Sequence, residues 1–289
     1  MKLTIFTPTY NRGSTLQRLY ESLLLQTRFD FEWLIIDDGS TDNTEEIIKT
    51  FYLQDKFPIV FHQKKNGGKH TAYNTALTLA KGDFFFCVDS DDRLKEDAIE
   101  KLLAILPQIK KHQFIMAYKI DQNGKLLSDT FPKNCTETTL TQLNFKFKCC
   151  GEFSLIFPTN LAQQFQFPIF KGEQFITESV IYDRIDKIAT ALLFPQILTV
   201  CEYQPDGLSN SINSTMKKNP AGYCLYFMQR IDMQPSLKDK IITAGKYNCF
   251  KVFAKKQKSN YTGNYKTLVF LTIPLGILFW IYYKIFRKF

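Results

Sequence analysis

The run Phe84-Phe85-Phe86-Cys87-Val88 ends in the acidic segment Asp89-Ser90-Asp91-Asp92. Five consecutive apolar residues predict a central strand, Asp83–Val88, that is buried on both faces. Strands of this kind are typical of parallel sheets covered by helices. The acids therefore stand where the chain leaves the core.

Two earlier segments repeat this form of apolar strand followed by a polar end. Leu3–Thr7 leads into a turn at Pro8, and Phe31–Asp37 leads into Asp38-Gly39-Ser40-Thr41. Ligands of open α/β sheets bind beyond the carboxyl ends of the strands. We therefore expect three polar segments to meet at one edge of the sheet: Thr7–Asn11, Asp37–Ser40 and Asp89–Asp92.

Helical periodicity alternates with these strands through the first hundred residues. One helix face is predicted from five apolar residues at helical spacing: Leu16, Leu19, Tyr20, Leu23 and Leu24. Further elements are the helices Asn43–Phe51 and Thr71–Ala80, the strand Ile59–His62 and a helix from about Lys95. The pattern predicts an α/β fold with a Rossmann-like, mainly parallel sheet flanked by helices. Beyond about Lys110 the pattern weakens, with Asn123-Gly124 as an expected hairpin turn.

Charge is distributed unevenly along the chain, whose formal charge is +9. From Leu237 to Phe289 there are 11 Lys or Arg and one acid, Asp239, which gives +10, and the remaining 26 basic and 27 acidic residues give −1. The seven cysteines show no C-x-x-C spacing, so neither a zinc site nor a disulfide framework is indicated. Because the first strand starts at Leu3, we expect no secretory segment and a cytoplasmic protein.

Taken together, the motifs Thr7-Pro8-Thr9-Tyr10-Asn11-Arg12, Ile35–Asp42 and Val88–Asp92 resemble those of glycosyltransferase family 2. A fourth segment, Gly172–Glu178, is similar to the family's acceptor-side segment. The resemblance implies a GT-A fold and an inverting, D-x-D-type bacterial polysaccharide glycosyltransferase of the hexosyl- or N-acetylhexosaminyltransferase class. It also implies a nucleotide-sugar donor, with UDP favoured, and a glycan or lipid-linked acceptor.

A divalent cation is implied at Asp89 and Asp91, the D-x-D pair that in this family holds Mn²⁺ or Mg²⁺ on the donor diphosphate. Hard carboxylate oxygens suit either ion. The alternative is a solvated acidic loop that caps the helix near Lys95. Asp92 either orients the other two acids or caps that helix.

Donor contacts are implied at five further positions. Asp38 matches the carboxylate that accepts from a uracil ring, and backbone groups of Thr7, Pro8 and Thr9 would lie along the nucleotide. Lys69, after Asn66-Gly67-Gly68, would touch the donor, unless this is an ordinary surface turn. Asp37 is expected to hold the Asp38-Gly39 turn, Arg12 to lie near phosphate or be exposed, and His70 to make a structural hydrogen bond.

The resemblance places the catalytic base at Glu178, which would accept the proton of the acceptor hydroxyl. Asp183 is the weaker substitute. The alternative for Glu178 is an ordinary helix-surface glutamate, which is the interpretation given to Glu173. On this basis residues 1–110 form the nucleotide-sugar half, 111–236 the acceptor half and 237–289 a basic tail.

The tail is expected to associate with the cytoplasmic face of a membrane as a peripheral or shallow anchor. Leu268–Tyr283 is apolar apart from Thr272, but as a helix it would measure about 24 Å, against a hydrocarbon core of about 30 Å. Pro274 would kink it, and Lys238–Lys258 upstream forms a basic amphipathic pattern. The alternative is a helix packed on the catalytic domain.

Other classes of function fit the sequence less well. A nucleotidyltransferase would carry a glycine- and arginine-rich loop near the N-terminus, and a non-catalytic, membrane-bound sugar-binding protein would not need Asp89, Asp91 and Glu178. No G-x-G-x-x-G follows the first strand, which excludes an NAD-dependent dehydrogenase. Nucleic acid is not an expected partner, because a basic patch for it would not need the apolar run.

Overall fold

The computed structural model describes residues 2–53, 55–204 and 212–286. The chain forms two compact units. The first comprises Met1–Gln166 and Ile185–Gln204, and the second comprises Phe167–Arg184 and Pro205–Phe289. The chain passes from one unit to the other after residues 166, 184 and 204, whereas the sequence suggests boundaries after residues 110 and 236.

In the first unit, strands and helices alternate as the sequence predicts. The strands are β1 (Leu3–Thr9), β2 (Phe31–Asp37), β3 (Ile59–Gln63), β4 (Phe84–Cys87), β5 (Arg93–Leu94), β6 (Gln113–Asp121), β7 (Glu137–Thr138), β8 (Phe153–Pro158) and β9 (Thr190–Cys201). The helices are α1 (Gly13–Leu24), α2 (Thr44–Phe51), α3 (Lys69–Leu79), α4 (Ala98–Ile105), α5 (Leu140–Phe145) and α6 (Thr159–Ala162). Within the described residues these nine strands join in one sheet of order β3-β2-β1-β4-β8-β6-β9-β5, with β7 paired to β9.

The sheet is parallel in one half and mixed in the other. The four strands β3-β2-β1-β4 are all parallel. β8, however, runs antiparallel to both β4 and β6, which makes the sheet less parallel than the sequence predicts. Antiparallel neighbours need no crossover helix, and the segment after β6 begins with the expected turn, where the Gly124 N–H donates to the Asp121 carbonyl at 3.1 Å. Gly124 has a φ of +81°, a conformation that glycine adopts without strain.

Strand register brings the polar strand ends together at one edge. Thr9 pairs with Asp37, and Asp37 pairs with Gln63, so β1, β2 and β3 end side by side. The Val88 N–H donates to the Phe6 carbonyl at 2.9 Å, so Asp89 follows at the same edge. The prediction that these segments share an edge is confirmed.

Helix α1 is packed against the strands whose ends form this edge. The predicted face of α1 is buried, and the Tyr20 ring stacks on Trp33 of β2 with centroids 5.9 Å apart. Trp33 is fully buried and its indole N–H donates to the Thr7 hydroxyl of β1 at 2.9 Å. Helix, β2 and β1 are thus joined by apolar contacts and one buried hydrogen bond.

The second unit is helical. Its helices are α7 (Ser179–Ile185), α8 (Ile212–Lys218), α9 (Pro220–Arg230), α10 (Leu237–Ala254), α11 (Lys266–Leu271) and α12 (Ile273–Phe286). Tyr223 and Phe227 of α9 pack with Tyr247 and Phe250 of α10 in its apolar core. Across the described ranges, every helix is too short or too polar to cross a membrane.

Candidate active site

The loops that follow β1 and β2 are tied to each other. The Asn11 N–H donates to the Ser40 hydroxyl at 2.8 Å, and the Thr41 N–H donates to the Asn11 side-chain oxygen at 2.8 Å. Asn11 has a positive φ of 52°, which asparagine tolerates better than most residues. The two polar strand ends therefore form one connected surface.

Asp37 holds the turn after β2. Its carboxylate is fully buried and accepts from the Ser40 N–H at 2.9 Å and the Ser40 hydroxyl at 2.5 Å. The other oxygen accepts from the Gln63 amide at 2.9 Å. The turn role expected for Asp37 is therefore what the geometry shows.

Asp38 instead reaches the loop before α3. One oxygen accepts from the Lys64 ammonium at 2.6 Å and the Gly67 N–H at 2.9 Å, and the other accepts from the Gly68 N–H at 2.6 Å. A carboxylate offers about four acceptor positions. Three of these positions are taken by protein donors, which leaves one position for a ligand N–H. Asp38 can therefore accept from a base, as expected, while it also holds this loop. Sequence reasoning missed Lys64. The available signal was its position directly after β3, which ends at Gln63.

Lys69 forms an ion pair with Asp89. Its ammonium is 2.7 Å from one carboxylate oxygen and donates to the other at 2.9 Å. Burial alone would raise the pKa of Asp89, but the charges of Lys69 and Lys119 outweigh it and lower that pKa below its usual value. The lysine expected at the donor is thus held beside the acidic loop as its cation.

Asp91 stands next to this ion pair in a different environment. Burial and the neighbouring Asp89 carboxylate raise the pKa of Asp91. Its carboxylate makes no hydrogen bond or ion pair with another residue in the described part of the chain. The acid is therefore placed where a further cation would lower its free energy.

The D-x-D pair fits a cation that is only partly bound by protein. Within the described residues, no group of three His, Cys, Asp or Glu side chains comes together as metal ligands. Mg²⁺ sites often use one or two carboxylates together with phosphate oxygens and water. Asp89 and Asp91 match that kind of site, because Asp91 makes no hydrogen bond or ion pair with another side chain of the described residues.

Asp92 orients the loop through a buried ion pair. The Lys119 ammonium of β6 lies 3.3 Å from its carboxylate, and the Asp92 side chain is buried while that of Lys119 is 14% exposed. Burial raises the pKa of Asp92 to about 6, against the opposing charge of Lys119. The expected helix cap is not found here, because α4 begins only at Ala98. Lys119 was missed, although a lysine in the apolar run Phe114–Ile120 was the available signal.

Thr7 and Thr9 present little side-chain surface. The Thr7 hydroxyl accepts from Trp33 in the core, and the Thr9 carbonyl accepts from the Asp38 N–H at 2.9 Å. Pro8 between them is buried and has no N–H to offer. Only their remaining backbone groups and the buried Thr9 hydroxyl, which lacks a protein partner among the described residues, could face a nucleotide. Sequence reasoning assigned no role to Tyr10, whose side chain is 48% exposed directly after β1.

His70 is buried under the same loop. Burial lowers the pKa of His70 to about 4, against the nearby charge of Asp38, so the ring is neutral near pH 7. The ring is therefore a neutral, buried group, and the structural hydrogen bond expected for it stays a prediction.

In the second unit, Glu178 directly precedes α7. Its carbonyl accepts from the Ile181 and Tyr182 N–H groups at 3.0 Å and 3.1 Å, and its side chain is half-buried. Asp183, the weaker substitute, is buried and held by two bonds from Arg230 at 2.8 Å and 3.0 Å. Both Asp183 oxygens already accept from Arg230, so Glu178 remains the better candidate.

Glu173 corrects one expectation, because it is not a helix-surface residue. It is buried and accepts from the Ala221 and Gly222 N–H groups at 2.7 Å and 2.9 Å, at the N-terminus of α9. Free N–H groups of a first helical turn attract carboxylates, and this explains its burial. The Asn219 side chain accepts from the next two backbone N–H groups, Gln174 and Phe175. The segment that leads to Glu178 is therefore fixed to α9.

The profile of the family described as Glycosyl transferase family 2 matches residues 4–160, more than half of the chain. The chain belongs to this family. The matched range contains the polar strand ends and loops described above, from Thr9 to Asp92.

Known relatives support the same assignment. Over 100 residues the chain is 42% identical to "Glycosyltransferase GlyG" of Streptococcus pneumoniae, covering 35% of this chain and 33% of that protein. Over 133 residues it is 37% identical to "Chondroitin synthase" of Pasteurella multocida, covering 45% of this chain and 14% of that protein. The chain thus spans a third or less of the length of these two relatives.

Solved structures show the same fold. TarS 1-349 of S. aureus, in complex with UDP-GlcNAc, aligns with a TM-score of 0.63 at 18% identity and covers 86% of this chain and 81% of its own. The mannosyltransferase PcManGT of Pyrobaculum calidifontis, in complex with GDP-Man and Mn²⁺, aligns with a TM-score of 0.52 at 14% identity and covers 96% of this chain and 73% of its own. The first-unit sheet with its flanking helices is accordingly a GT-A fold.

Proposed function

We propose that the protein transfers a sugar from a UDP-sugar to an acceptor hydroxyl. The observation that carries this proposal is the grouping of Asp89, Asp91 and Lys69 at the edge where four parallel strands end. Two acids and an ammonium group suit a diphosphate and its counter-ion. The loop held by Asp38 lies at the same edge and supplies an acceptor for a base.

The preference for uridine rests on two supports. Asp38 accepts hydrogen bonds, which suits the N3–H of uracil, and the exposed Tyr10 ring can stack on a base. TarS, one of the structural neighbours, is in complex with UDP-GlcNAc, whereas PcManGT is in complex with GDP-Man. The sugar, a hexose or an N-acetylhexosamine, is chosen by contacts beyond this surface.

A divalent cation, Mn²⁺ or Mg²⁺, would be held by Asp89 and Asp91, and when bound it neutralises the charge that develops on the departing diphosphate. Lys69 would bind the phosphate oxygens of the donor through its ammonium group. Glu178 accepts the proton of the acceptor hydroxyl as its oxygen attacks the anomeric carbon. A single displacement of this kind inverts the anomeric centre, which product analysis by NMR would show.

The acceptor belongs to the synthesis of cell-envelope or capsular polysaccharide or of a lipid-linked oligosaccharide. The names of relatives support a glycan acceptor, because they include chondroitin and hyaluronan synthases of Pasteurella multocida. Such acceptors are extended at a membrane, and we place the protein on its cytoplasmic face.

A thermal-unfolding screen of nucleotide-sugars with and without Mn²⁺ tests the proposal. A donor at 100 times its Kd stabilises the folded protein by about 2.7 kcal/mol. We expect UDP-sugars to raise the Tm more with Mn²⁺ than without it. In a separate assay, we expect no consumption of nucleoside triphosphates. Stabilisation by a triphosphate together with release of pyrophosphate would instead support a nucleotidyltransferase.

A further inference from the structure

Helix α12 packs on α10 through one of its apolar faces. A Cβ on Gly245 would lie 2.7 Å from a Leu275 methyl carbon, and one on Gly276 would lie 2.5 Å from the Cβ of Asn248, so the two backbones are in close contact. The Tyr283 ring lies 5.7 Å from the Phe250 ring. This face of α12 is therefore satisfied within the unit.

The opposite face of α11 and α12 is apolar as well, and it is exposed. Leu278 and Ile285 are each 62% exposed, and Phe270 is 70% exposed. We define this exposed apolar face by eight residues: Phe270, Leu271, Ile273, Ile277, Leu278, Ile281, Tyr282 and Ile285. Contiguous apolar surface of this kind is rare on soluble monomers and marks an interaction site.

Lysines surround this face. Lys266 begins α11 and Lys284 lies near the end of α12, and both are exposed. The Lys284 ammonium lies 4.5 Å from the centre of the Trp280 ring, an arrangement that keeps its charge at the border of the apolar surface. Between 237 and 286 the sequence holds nine lysines and one acid, Asp239.

We propose that the exposed apolar face docks on an anionic lipid bilayer, with α12 lying in the plane of the interface. With 14 residues, α12 measures about 21 Å, too short for a hydrocarbon core of about 30 Å. The helix is interrupted at Thr272, between α11 and α12, and Pro274 lies in the first turn of α12. The two helices therefore do not form one longer span. An apolar face bordered by lysines and aromatic rings is the pattern of interfacial helices.

Charge favours lipid over a second copy of the chain. In a two-fold symmetric contact the same patch meets itself, so the lysines at its border would face lysines. Anionic headgroups instead pair with them, because each lysine near the surface is attracted to the negative charge of the lipid. The docking does not depend on the proposed reaction, so either proposal can fail without the other.

Flotation of the full chain with lipid vesicles tests the docking. We expect binding to vesicles of phosphatidylcholine mixed with phosphatidylglycerol and much weaker binding to phosphatidylcholine alone. The double variant Leu278→Ser, Ile285→Ser should bind the anionic vesicles at least about tenfold more weakly, since buried methylenes supply much of the affinity. The double variant Lys266→Gln, Lys284→Gln should lose affinity for anionic vesicles only.

A matched control removes exposed leucines elsewhere, in Leu25→Ser, Leu53→Ser, which are 61% and 82% exposed in the wild type. It should bind anionic vesicles as the wild type does, and circular dichroism should show that all variants are folded. The proposal is overturned if the wild type does not float with anionic vesicles, or if the Leu278, Ile285 variant floats equally well. It is also overturned if sedimentation shows a wild-type dimer that this variant dissociates while vesicle binding is absent.

Discussion

The Lys69 ammonium lies 2.7 Å and 2.9 Å from the two carboxylate oxygens of Asp89. The same acid is the one expected to hold a divalent cation, so ammonium and cation compete for it. A diphosphate would relieve the competition, because its oxygens offer Lys69 another anionic partner. Binding of donor and cation should therefore depend on each other.

Lys69→Met separates the two events. Without nucleotide, the variant should bind Mn²⁺ more tightly than the wild type, because the competing ammonium is gone. It should bind the UDP-sugar about ten- to a hundredfold more weakly, because a charged hydrogen bond to phosphate contributes about 1.5–3 kcal/mol. Titration calorimetry with Mn²⁺ and then with donor measures both, with Lys65→Met, at an exposed lysine of the same loop, as the control. Equal affinities for both ligands in wild type and variant would show that Lys69 contacts neither.

Asp38→Ala should weaken donor binding about ten- to a hundredfold and reduce the preference among nucleoside diphosphates, because it removes the carboxylate that would accept from the base. The loop is also loosened, since Asp38 accepts from Lys64, Gly67 and Gly68. Lys64→Met separates these effects, because it loosens the loop but keeps the carboxylate. Competition binding with UDP, GDP and ADP should show that Lys64→Met keeps the preference. If Asp38→Ala keeps it too, the base contacts another residue.

Glu178→Gln should lower kcat about 10²- to 10⁴-fold with little change in donor affinity, because it removes a general base and no donor contact. Initial rates with saturating donor measure the change. Asp183→Asn is the comparison, since it loosens the ion pair with Arg230. Its activity should fall only as far as its folded fraction falls. Wild-type kcat in Glu178→Gln would place the base elsewhere.

The buried His70 should make folding depend on pH. Its pKa is about 4 in the folded protein and 6.5 in the unfolded chain, so protons bind the unfolded chain more readily. The stability that neutral His70 provides is complete above pH 6.5 and is lost as the pH falls toward 4. Between pH 8 and pH 5 the loss is about 2 kcal/mol.

Urea unfolding at both pH values measures this loss as the difference between wild type and His70→Gln. The matched variant is His62→Gln, at an exposed histidine of β3, which should behave as the wild type does. If wild type and His70→Gln lose the same free energy of unfolding between pH 8 and pH 5, His70 does not carry the pH dependence.

Most of the first unit could be predicted from sequence, because its strands are apolar runs with polar ends. β2 was predicted with its observed bounds, Phe31–Asp37, and β1, β3 and β4 differ by one or two residues at their ends. The antiparallel β8 could not be predicted, because Phe153–Pro158 has the same apolar composition in either direction. Strand direction is set by the connection, which sequence pattern alone does not show.

The acidic residues of the site could be predicted from sequence, but the ion pairs that they form could not. Asp37, Asp38, Asp89 and Asp91 lie where their strands end, so position along the chain was enough to find them. Lys64 and Lys119 were missed because their partners, Asp38 and Asp92, are 26 and 27 residues away in sequence. Glu173 was assigned to a surface because the N–H groups that bury it belong to α9.

The central claim is that Asp91 helps to hold the cation on which transfer depends, and Asp91→Asn tests it most directly. The amide keeps the volume of the side chain and removes its charge. The measurement is release of UDP from the UDP-sugar that the thermal screen selects, with Mn²⁺ and acceptor, for wild type and for Asp91→Asn shown to be folded by circular dichroism. We expect the rate to fall about 10³-fold, since metal-ion catalysis contributes several kcal/mol, and the added Tm that Mn²⁺ gives with donor to vanish. A folded Asp91→Asn with near-wild-type turnover and an unchanged response to Mn²⁺ would contradict the account.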